Sequence, residues 1–218
     1  MSDSIRFDLE GRSRFSTSRS PRFRTVHNAA RTNLSFVAQE PEYDVIYVGR
    51  LVPEKGVHVL IQAAALSGLK WRIAVVGGKF FVPGGDEDAY VQDLYKQADA
   101  NNLSVEFTGP VSPSRVVEYL SKSRVSVIPS VWEEPAGLTL LESMASPAAV
   151  VASNVGGLPE ASKAGGVIFV PPSDPQALRT VVDDLLADES KRRSVASKGC
   201  QEVNNRSWKH VYEELTSV

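Results

Sequence analysis

The sequence predicts a doubly wound α/β fold, in which a six-stranded parallel sheet carries helices on both faces. From Tyr43 onward, short runs rich in valine and isoleucine alternate with longer amphipathic segments, which is the pattern of repeated βαβ units. The 218 residues suffice for one such domain, and the hydrophobic content of 42% is typical of a globular protein. The predicted strands are 43–48, 71–76, 104–108, 124–128, 149–152 and 167–170.

Helices are predicted between these strands and after the last one. Segment 88–100 has helical spacing, and Ser112 followed by Pro113 is typical of a helix start. Ser173 and Gln176 have the spacing of a capping box, and the pattern after them stays helical. Apolar faces are formed by Val57, Leu60, Ile61 and Ala64 in the first helix and by Trp208, Val211, Tyr212 and Leu215 in the last.

Residues 1–40 differ in composition from the rest of the chain. They are rich in arginine and serine and lack hydrophobic periodicity, so we predict a flexible leader. Such a leader can indicate organelle targeting, but Asp3, Asp8 and Glu10 favour a solvated tail. The sequence therefore predicts two parts, a leader over 1–40 and a folded domain over 41–218.

Charge and cysteine content exclude several classes of protein. A net charge of −2 argues against nonspecific nucleic-acid binding, and the single cysteine, Cys200, permits no internal disulfide. No apolar run approaches the length of a membrane span, so we expect a cytoplasmic protein. His27, His58 and His210 have no metal-ligand spacing, and the acidic run 86–88 fits a helix start better than a metal site.

The end of the first strand has the features of an anion site. Gly49 frees the backbone, and Arg50 and Lys55 present two cations just before a helix. Arginine offers a two-pronged donor to phosphate and lysine a mobile charge, so together they could neutralise a diphosphate without a metal ion. The alternative is that both are ordinary surface residues.

Glu134 and Glu142 lie on either side of a predicted loop-to-helix turn. Pro135 fixes one φ angle, Gly137 permits a close backbone approach, and apolar residues at helical spacing follow. The first amides of such a helix have no internal partners and favour an anion, while Glu142 would lie about one turn inside the helix. The alternative is a buried amphipathic helix with a surface glutamate at each end.

Two further strand ends carry weaker signals. Gly77 and Gly78 follow the second strand and would let a nucleotide approach the backbone, although the full dinucleotide fingerprint is absent. After them, Phe80 and Phe81 are predicted to form a hydrophobic lip. The third strand ends in a Thr-Gly-Pro-Val sequence that closes with Val111.

These segments together resemble family-4 glycosyltransferases of the GT-B fold, over roughly residues 26–217. The resemblance rests on the two glutamates with seven residues between them, on the Gly-Arg-Leu-x-x-x-Lys-Gly run 49–56 and on segment 156–160. It implies that Arg50 and Lys55 bind the donor pyrophosphate and that Glu142 holds the ribose. It also implies that Val111 contacts the nucleobase.

The same resemblance assigns the transferred sugar to Glu134 and to the amides around Ala136, Gly137 and Leu138. Glu134, Arg50 and Lys55 are then the catalytic residues of a metal-independent transferase of the hexosyl type. The implied donor is a nucleoside diphosphate sugar, most often a UDP-sugar in this family, with no cofactor, and transfer retains the sugar configuration.

Three places depart from the family pattern. Ala136 replaces a bulkier aromatic residue, which could alter sugar selectivity, and a Ser-Pro pair at 146–147 replaces the usual turn before the fifth strand. Segment 24–30 resembles the connection between the two GT-B halves, but Ala29 stands where glycine is usual and Arg31 where aspartate is usual.

The resemblance covers only the C-terminal, donor-binding half of a GT-B enzyme, with a Rossmann-like fold. We therefore expect an N-terminal acceptor domain to be lost by truncation or supplied by another chain, with a glycan, lipid or small molecule as acceptor. That domain could also place the protein at a membrane surface. The alternatives are a noncatalytic domain that binds a nucleotide sugar or a partner, and a GT-B-like sugar-nucleotide epimerase.

Overall fold

The strands form one parallel sheet in the computed structural model, which describes residues 26–30, 36–37, 39–79, 88–135 and 137–217. Within these residues the sheet has six strands in the order β3-β2-β1-β4-β5-β6. All six predicted strands are confirmed, with ends that agree to within one residue. The strands are β1 (Tyr43–Val48), β2 (Arg72–Val76), β3 (Ser104–Gly109), β4 (Ser123–Ile128), β5 (Ala149–Ser153) and β6 (Val167–Val170).

Helices connect the strands and complete the chain. Two short 3₁₀ turns, Pro53–Lys55 and Leu158–Ala161, lie in the loops after β1 and β5. After β6 the described chain is helical, as the sequence predicts. The helices are α1 (Val57–Leu66), α2 (Ala89–Ala100), α3 (Pro113–Ser121), α4 (Leu138–Met144), α5 (Pro175–Ala187), α6 (Glu189–Asn204) and α7 (Trp208–Thr216).

The helices cover both faces of the sheet. Apolar side chains of α1, α2 and α5 pack with Val45 and Ile73 in one core, while α3 and α4 pack against the opposite face. Val45 and Ile46, adjacent on β1, are both completely buried and belong to different cores. The predicted doubly wound architecture is therefore confirmed, and the apolar runs in the sequence reflect strands that are buried on both faces.

Side-chain caps define several helix starts. Ser112 caps α3 as predicted, since its hydroxyl accepts from the Arg115 amide. The predicted capping box at Ser173 is wrong. Asp174 caps α5 by accepting from the Ala177 amide at 2.9 Å, because Ser173 has a φ of 57° in the turn that precedes the helix.

Segment 26–30 packs against the C-terminal helices. Ala29 and Ala30 are buried, and the Arg206 guanidinium donates to the carbonyls of His27 at 2.5 Å and Asn28 at 3.2 Å. The same guanidinium pairs with Glu214 of α7 at 2.9 Å. The predicted leader falls mainly on residues 1–25, which lie outside the described residues, so the division at residue 40 stays a prediction. No helix in the described ranges is long and apolar enough to cross a membrane.

Candidate functional site

A cleft of about 380 Å³ lies at the carboxyl ends of β1, β2, β3 and β4. Connections from the central strands β1 and β4 leave the sheet in opposite directions, and such a switch point is where doubly wound sheets bind ligands. Leu138 is 52% exposed and is not among the lining residues, and Ala136 lies outside the described residues. The other predicted site residues all line this cleft: Gly49, Arg50, Lys55, Gly77, Val111, Glu134, Gly137 and Glu142.

Gly49 and Gly77 let the first two strand ends approach closely. A Cβ atom on Gly77 would lie 2.0 Å from the Gly49 carbonyl oxygen, so only glycine fits there. Their amides are already engaged, with Gly49 donating to the Val76 carbonyl at 3.0 Å and Gly77 to the Gly109 carbonyl at 3.1 Å. These two glycines therefore permit the close approach of the strand ends, and their amides are not free donors for a ligand.

The loop after β1 fixes the two predicted cations differently. The side chain of Arg50 is exposed, while its backbone is fixed because the Tyr47 hydroxyl donates to the Arg50 carbonyl at 2.7 Å. Burial raises the pKa of Tyr47 well above its usual range, so that hydroxyl remains a neutral donor. Lys55 ends the 3₁₀ turn, and a Cβ on the following Gly56 would lie 1.9 Å from the Pro129 carbonyl oxygen. This close contact places Lys55 beside the loop that follows β4.

Glu134 is buried at the centre of a hydrogen-bonded cluster. One oxygen, Oε2, accepts from Lys55 Nζ at 2.6 Å, from Trp132 Nε1 at 3.1 Å and from Ser130 Oγ at 3.2 Å. The Lys55 ammonium also lies 5.7 Å from the centre of the Trp132 ring. The structure thus joins two predicted catalytic residues, Lys55 and Glu134, in a direct ion pair.

The loop after β5 supports the backbone of Glu134. Gly157 donates its amide to the Glu134 carbonyl at 2.8 Å. Gly156 has a φ of 57°, and a Cβ there would lie 2.4 Å from the Glu134 nitrogen. Leu158 packs against Gly137, whose own Cβ would approach Leu158 Cδ2 to 2.7 Å. Segment 156–160 therefore holds the Glu134 loop in place.

Glu142 reaches the cleft from α4. This helix begins at Leu138, so Glu142 lies about one turn inside it, as the sequence predicts. Leu140 and Met144 of the same helix are buried against the sheet, whereas Glu142 and Thr139 line the cleft. One face of α4 is thus packed in the core, and the other face carries the Glu142 carboxylate to the cleft.

Apolar side chains line the part of the cleft near the end of β3. Val111 lies there with Phe36, Val116 and Leu120. Such a surface suits the flat faces of a nucleobase, the group that the family resemblance assigns to Val111. Phe80 and Phe81, the predicted lip, lie outside the described residues.

The sequence patterns do not identify Ser130 and Trp132, which the structure places beside Glu134. Their spacing to Glu134 follows no catalytic pattern, and a serine is too common to mark a site. Trp132 is the stronger indicator of a site in the sequence. It lies in a short loop between a predicted buried strand and Glu134, where it is not part of the apolar face of any predicted helix or strand. Its indole N–H needs an acceptor, and Glu134 is two residues away.

The remaining polar groups have local structural roles. His58 Nδ1 lies 2.9 Å from the Tyr90 hydroxyl, and burial lowers the pKa of His58. Asp88 caps α2 by accepting from the Tyr90 amide and also pairs with Lys79. Asp86 and Glu87 lie outside the described residues. In the part of the chain that the structure describes, no group of three or more His, Cys, Asp or Glu side chains could hold a metal ion.

A parallel six-stranded sheet with helices on both faces and a cleft at its switch point defines a Rossmann-like domain. The family model described as glycosyl transferases group 1 matches residues 32–202. The chain therefore belongs to this glycosyltransferase family, and its fold is the C-terminal half of a GT-B fold. The resemblance inferred from the sequence motifs is confirmed.

The chain spans about half the length of the curated relatives that it matches. An uncharacterised glycosyltransferase of Methanocaldococcus jannaschii is 32% identical over 189 residues, which cover 84% of this chain and 46% of the relative. HepE of Anabaena, solved in complex with UDP, has a TM-score of 0.70 and 27% identity, covering 80% of this chain and 48% of HepE.

A solved single domain matches at nearly its full length. The C-terminal domain of a glycosyl transferase group 1 family protein (LpcC) from Francisella tularensis has a TM-score of 0.66 and 25% identity. The match covers 77% of this chain and 87% of that domain. The described fold thus corresponds to one separately crystallised half of a family member.

Proposed function

We propose that this chain is the donor-binding half of a glycosyltransferase that uses a nucleoside diphosphate sugar. The observation that supports this most strongly is the convergence of Arg50, Lys55, Glu134 and Glu142 on one cleft at the switch point of the sheet. The two cations suit a diphosphate, and the two carboxylates suit sugar and ribose hydroxyls. Family membership agrees with this reading.

Arg50 and Lys55 act on the leaving group in this proposal. As the bond between the sugar and the diphosphate breaks, negative charge grows on the phosphate oxygens, and nearby cations stabilise it. Because the guanidinium and the ammonium supply this charge, the proposed reaction uses neither a metal ion nor an organic cofactor.

Glu134 orients the transferred sugar, and Glu142 accepts hydrogen bonds from the ribose. The three donors around Glu134 meet Oε2, so we assign Oε1 to the sugar hydroxyls. The amide region around Ala136, Gly137 and Leu138 is the proposed second contact to the sugar. Val111 lies on the proposed nucleobase side.

Transfer in this scheme retains the configuration at the anomeric carbon. The acceptor hydroxyl attacks from the face that the diphosphate leaves. The bond from the anomeric carbon to the acceptor oxygen forms as the bond to the phosphate oxygen breaks. The acceptor proton passes to the departing diphosphate, and Glu134 forms no covalent bond.

We infer that a second domain, on the same or another chain, holds the acceptor. The matched relatives are about twice as long as the aligned region, which supports a two-domain enzyme. The acceptor is a glycan, a lipid or a small molecule, and the proposed site of action is the cytoplasm or its membrane face. A UDP-sugar is the favoured donor, since the similar HepE was solved with UDP.

Binding measurements test this proposal directly. UDP-, GDP- and ADP-sugars are compared by thermal shift, because a ligand that binds only the folded state raises the melting temperature. Glu142→Gln should then weaken the selected donor about 10- to 100-fold, the loss expected for a hydrogen bond to a charged group. Glu133→Gln is the matched control, since Glu133 is exposed and is not among the lining residues.

The outcomes separate the candidate functions. An unchanged dissociation constant in Glu142→Gln would refute the ribose role. The absence of any shift across the panel would favour a noncatalytic partner-binding domain instead.

A further inference from the structure

We propose that Trp132 is a positioning residue, whose indole N–H holds the Glu134 carboxylate in place for the donor sugar. This inference rests on the proposed function of the cleft and adds a residue to it. Trp132 is 40% exposed, so burial of its ring explains only part of its placement. Its directional contact is the 3.1 Å hydrogen bond to Glu134 Oε2.

Lys55 alone is poorly suited to hold Glu134 during binding. It is the strongest partner of the carboxylate at 2.6 Å, yet the diphosphate would compete for the same ammonium. As a donor binds, the Lys55 ammonium therefore interacts with the phosphate oxygens as well as with Glu134, and its hold on Glu134 weakens. A carboxylate held only by Lys55 would lose its orientation at the moment when the sugar needs it.

Trp132 and Ser130 supply hydrogen-bond donors to which the diphosphate is attracted less strongly than to the Lys55 ammonium. Both are neutral, and both lie within four residues of Glu134 on the loop after β4. The Ser130 hydroxyl is buried and can rotate, whereas the indole N–H has a direction fixed by its ring. The geometry thus gives Glu134 one exchangeable cation and two permanent neutral donors.

The indole ring serves the cation as well. Because Lys55 Nζ lies 5.7 Å from the ring centre, the ring face attracts the ammonium weakly. A phenylalanine would keep an aromatic face in this place but remove the N–H. Trp132→Phe therefore separates the hydrogen bond from the packing.

The experiment compares UDP with UDP-glucose by isothermal titration calorimetry, or the corresponding pair if the donor panel selects another base. In Trp132→Phe, the Kd for UDP should stay within about twofold of wild type. The ratio of the UDP-glucose Kd to the UDP Kd should rise about tenfold, as expected when one hydrogen bond to a carboxylate is removed. Ser130→Ala should shift the ratio in the same direction.

Trp208→Phe is the matched control, because Trp208 is similarly exposed at 44% but lies on α7, away from the lining residues. It should leave both constants unchanged. An unchanged ratio in Trp132→Phe overturns the inference. So does an equal loss for both ligands with a lowered melting temperature, which would indicate a purely structural role. If the wild-type chain binds no nucleotide of the panel, the proposed function fails before this inference is reached.

Discussion

The ion pair between Lys55 and Glu134 should be strong enough to measure as a coupling energy. The two atoms are 2.6 Å apart, and the side chains are only 21% and 11% exposed. A hydrogen bond to a charged group contributes about 1.5–3 kcal/mol net, and breaking a fully buried pair costs about 3–5 kcal/mol. Since Glu134 keeps two other donors when Lys55 is removed, we expect a coupling of about 1.5–3 kcal/mol.

A double-mutant cycle provides the assay. The free energy of unfolding is measured by urea denaturation for wild type, Lys55→Met, Glu134→Gln and the double variant, and the coupling is their deviation from additivity. Lys209 and Glu213 form the control pair. Their 3.8 Å contact is largely exposed, and such a pair should couple by less than about 0.5 kcal/mol.

The result that refutes this reasoning is a coupling for Lys55 and Glu134 no larger than that of the control pair. In that case the two side chains would not be held together in solution. The competition between Glu134 and a diphosphate for Lys55 would then lose its basis.

Two further expectations follow from the glycine and histidine environments. Gly156→Ala should destabilise the protein by more than the roughly 1–2 kcal/mol that a left-handed residue costs, because the new Cβ would meet Glu134 backbone. Gly165→Ala is the control, because Gly165 also has a positive φ of 86° but only the Lys198 side chain lies near its Cβ position. Equal losses of unfolding free energy in the two variants, measured by urea denaturation, would contradict the packing argument. Burial lowers the pKa of His58. The neutral side chain therefore contributes stability at pH values above its ordinary pKa of 6.5, and this stability is lost as the pH falls through the lower pKa of the folded state. His58→Gln should flatten the decline in unfolding free energy between pH 7 and 5, and an unaltered slope would count against the assignment.

The strands were predictable because they are buried on both faces. Continuous Val- and Ile-rich runs such as that of β1 follow directly from this burial, and their ends agree with the structure. The helix cap at Ser173 was not predictable from spacing. Ser173 and Asp174 are both good capping residues, and only the left-handed turn at Ser173 decides between them.

The cleft was predictable in outline, because the carboxyl ends of parallel strands meet at one edge of a sheet. Arg50, Glu134 and Glu142 could therefore be expected in one place. The contact between Lys55 and Glu134 was not predictable, since the two are 79 residues apart and meet through close backbone contacts at Gly56 and Gly156. Long-range contacts of this kind depend on loop geometry that no local pattern encodes.

The hydrogen bonds of Arg206 have a mechanical consequence for the molecule. One guanidinium joins the carbonyl of His27, 179 residues away in sequence, to the carboxylate of Glu214 on α7. A pull on segment 26–30 therefore reaches α7 through two successive hydrogen-bonded contacts. His27 also lies 3.7 Å from the Glu160 carboxylate, and Ala30 packs in the same core as Leu158. Displacement of that segment would therefore strain segment 156–160, which supports Glu134, together with the C-terminal helix.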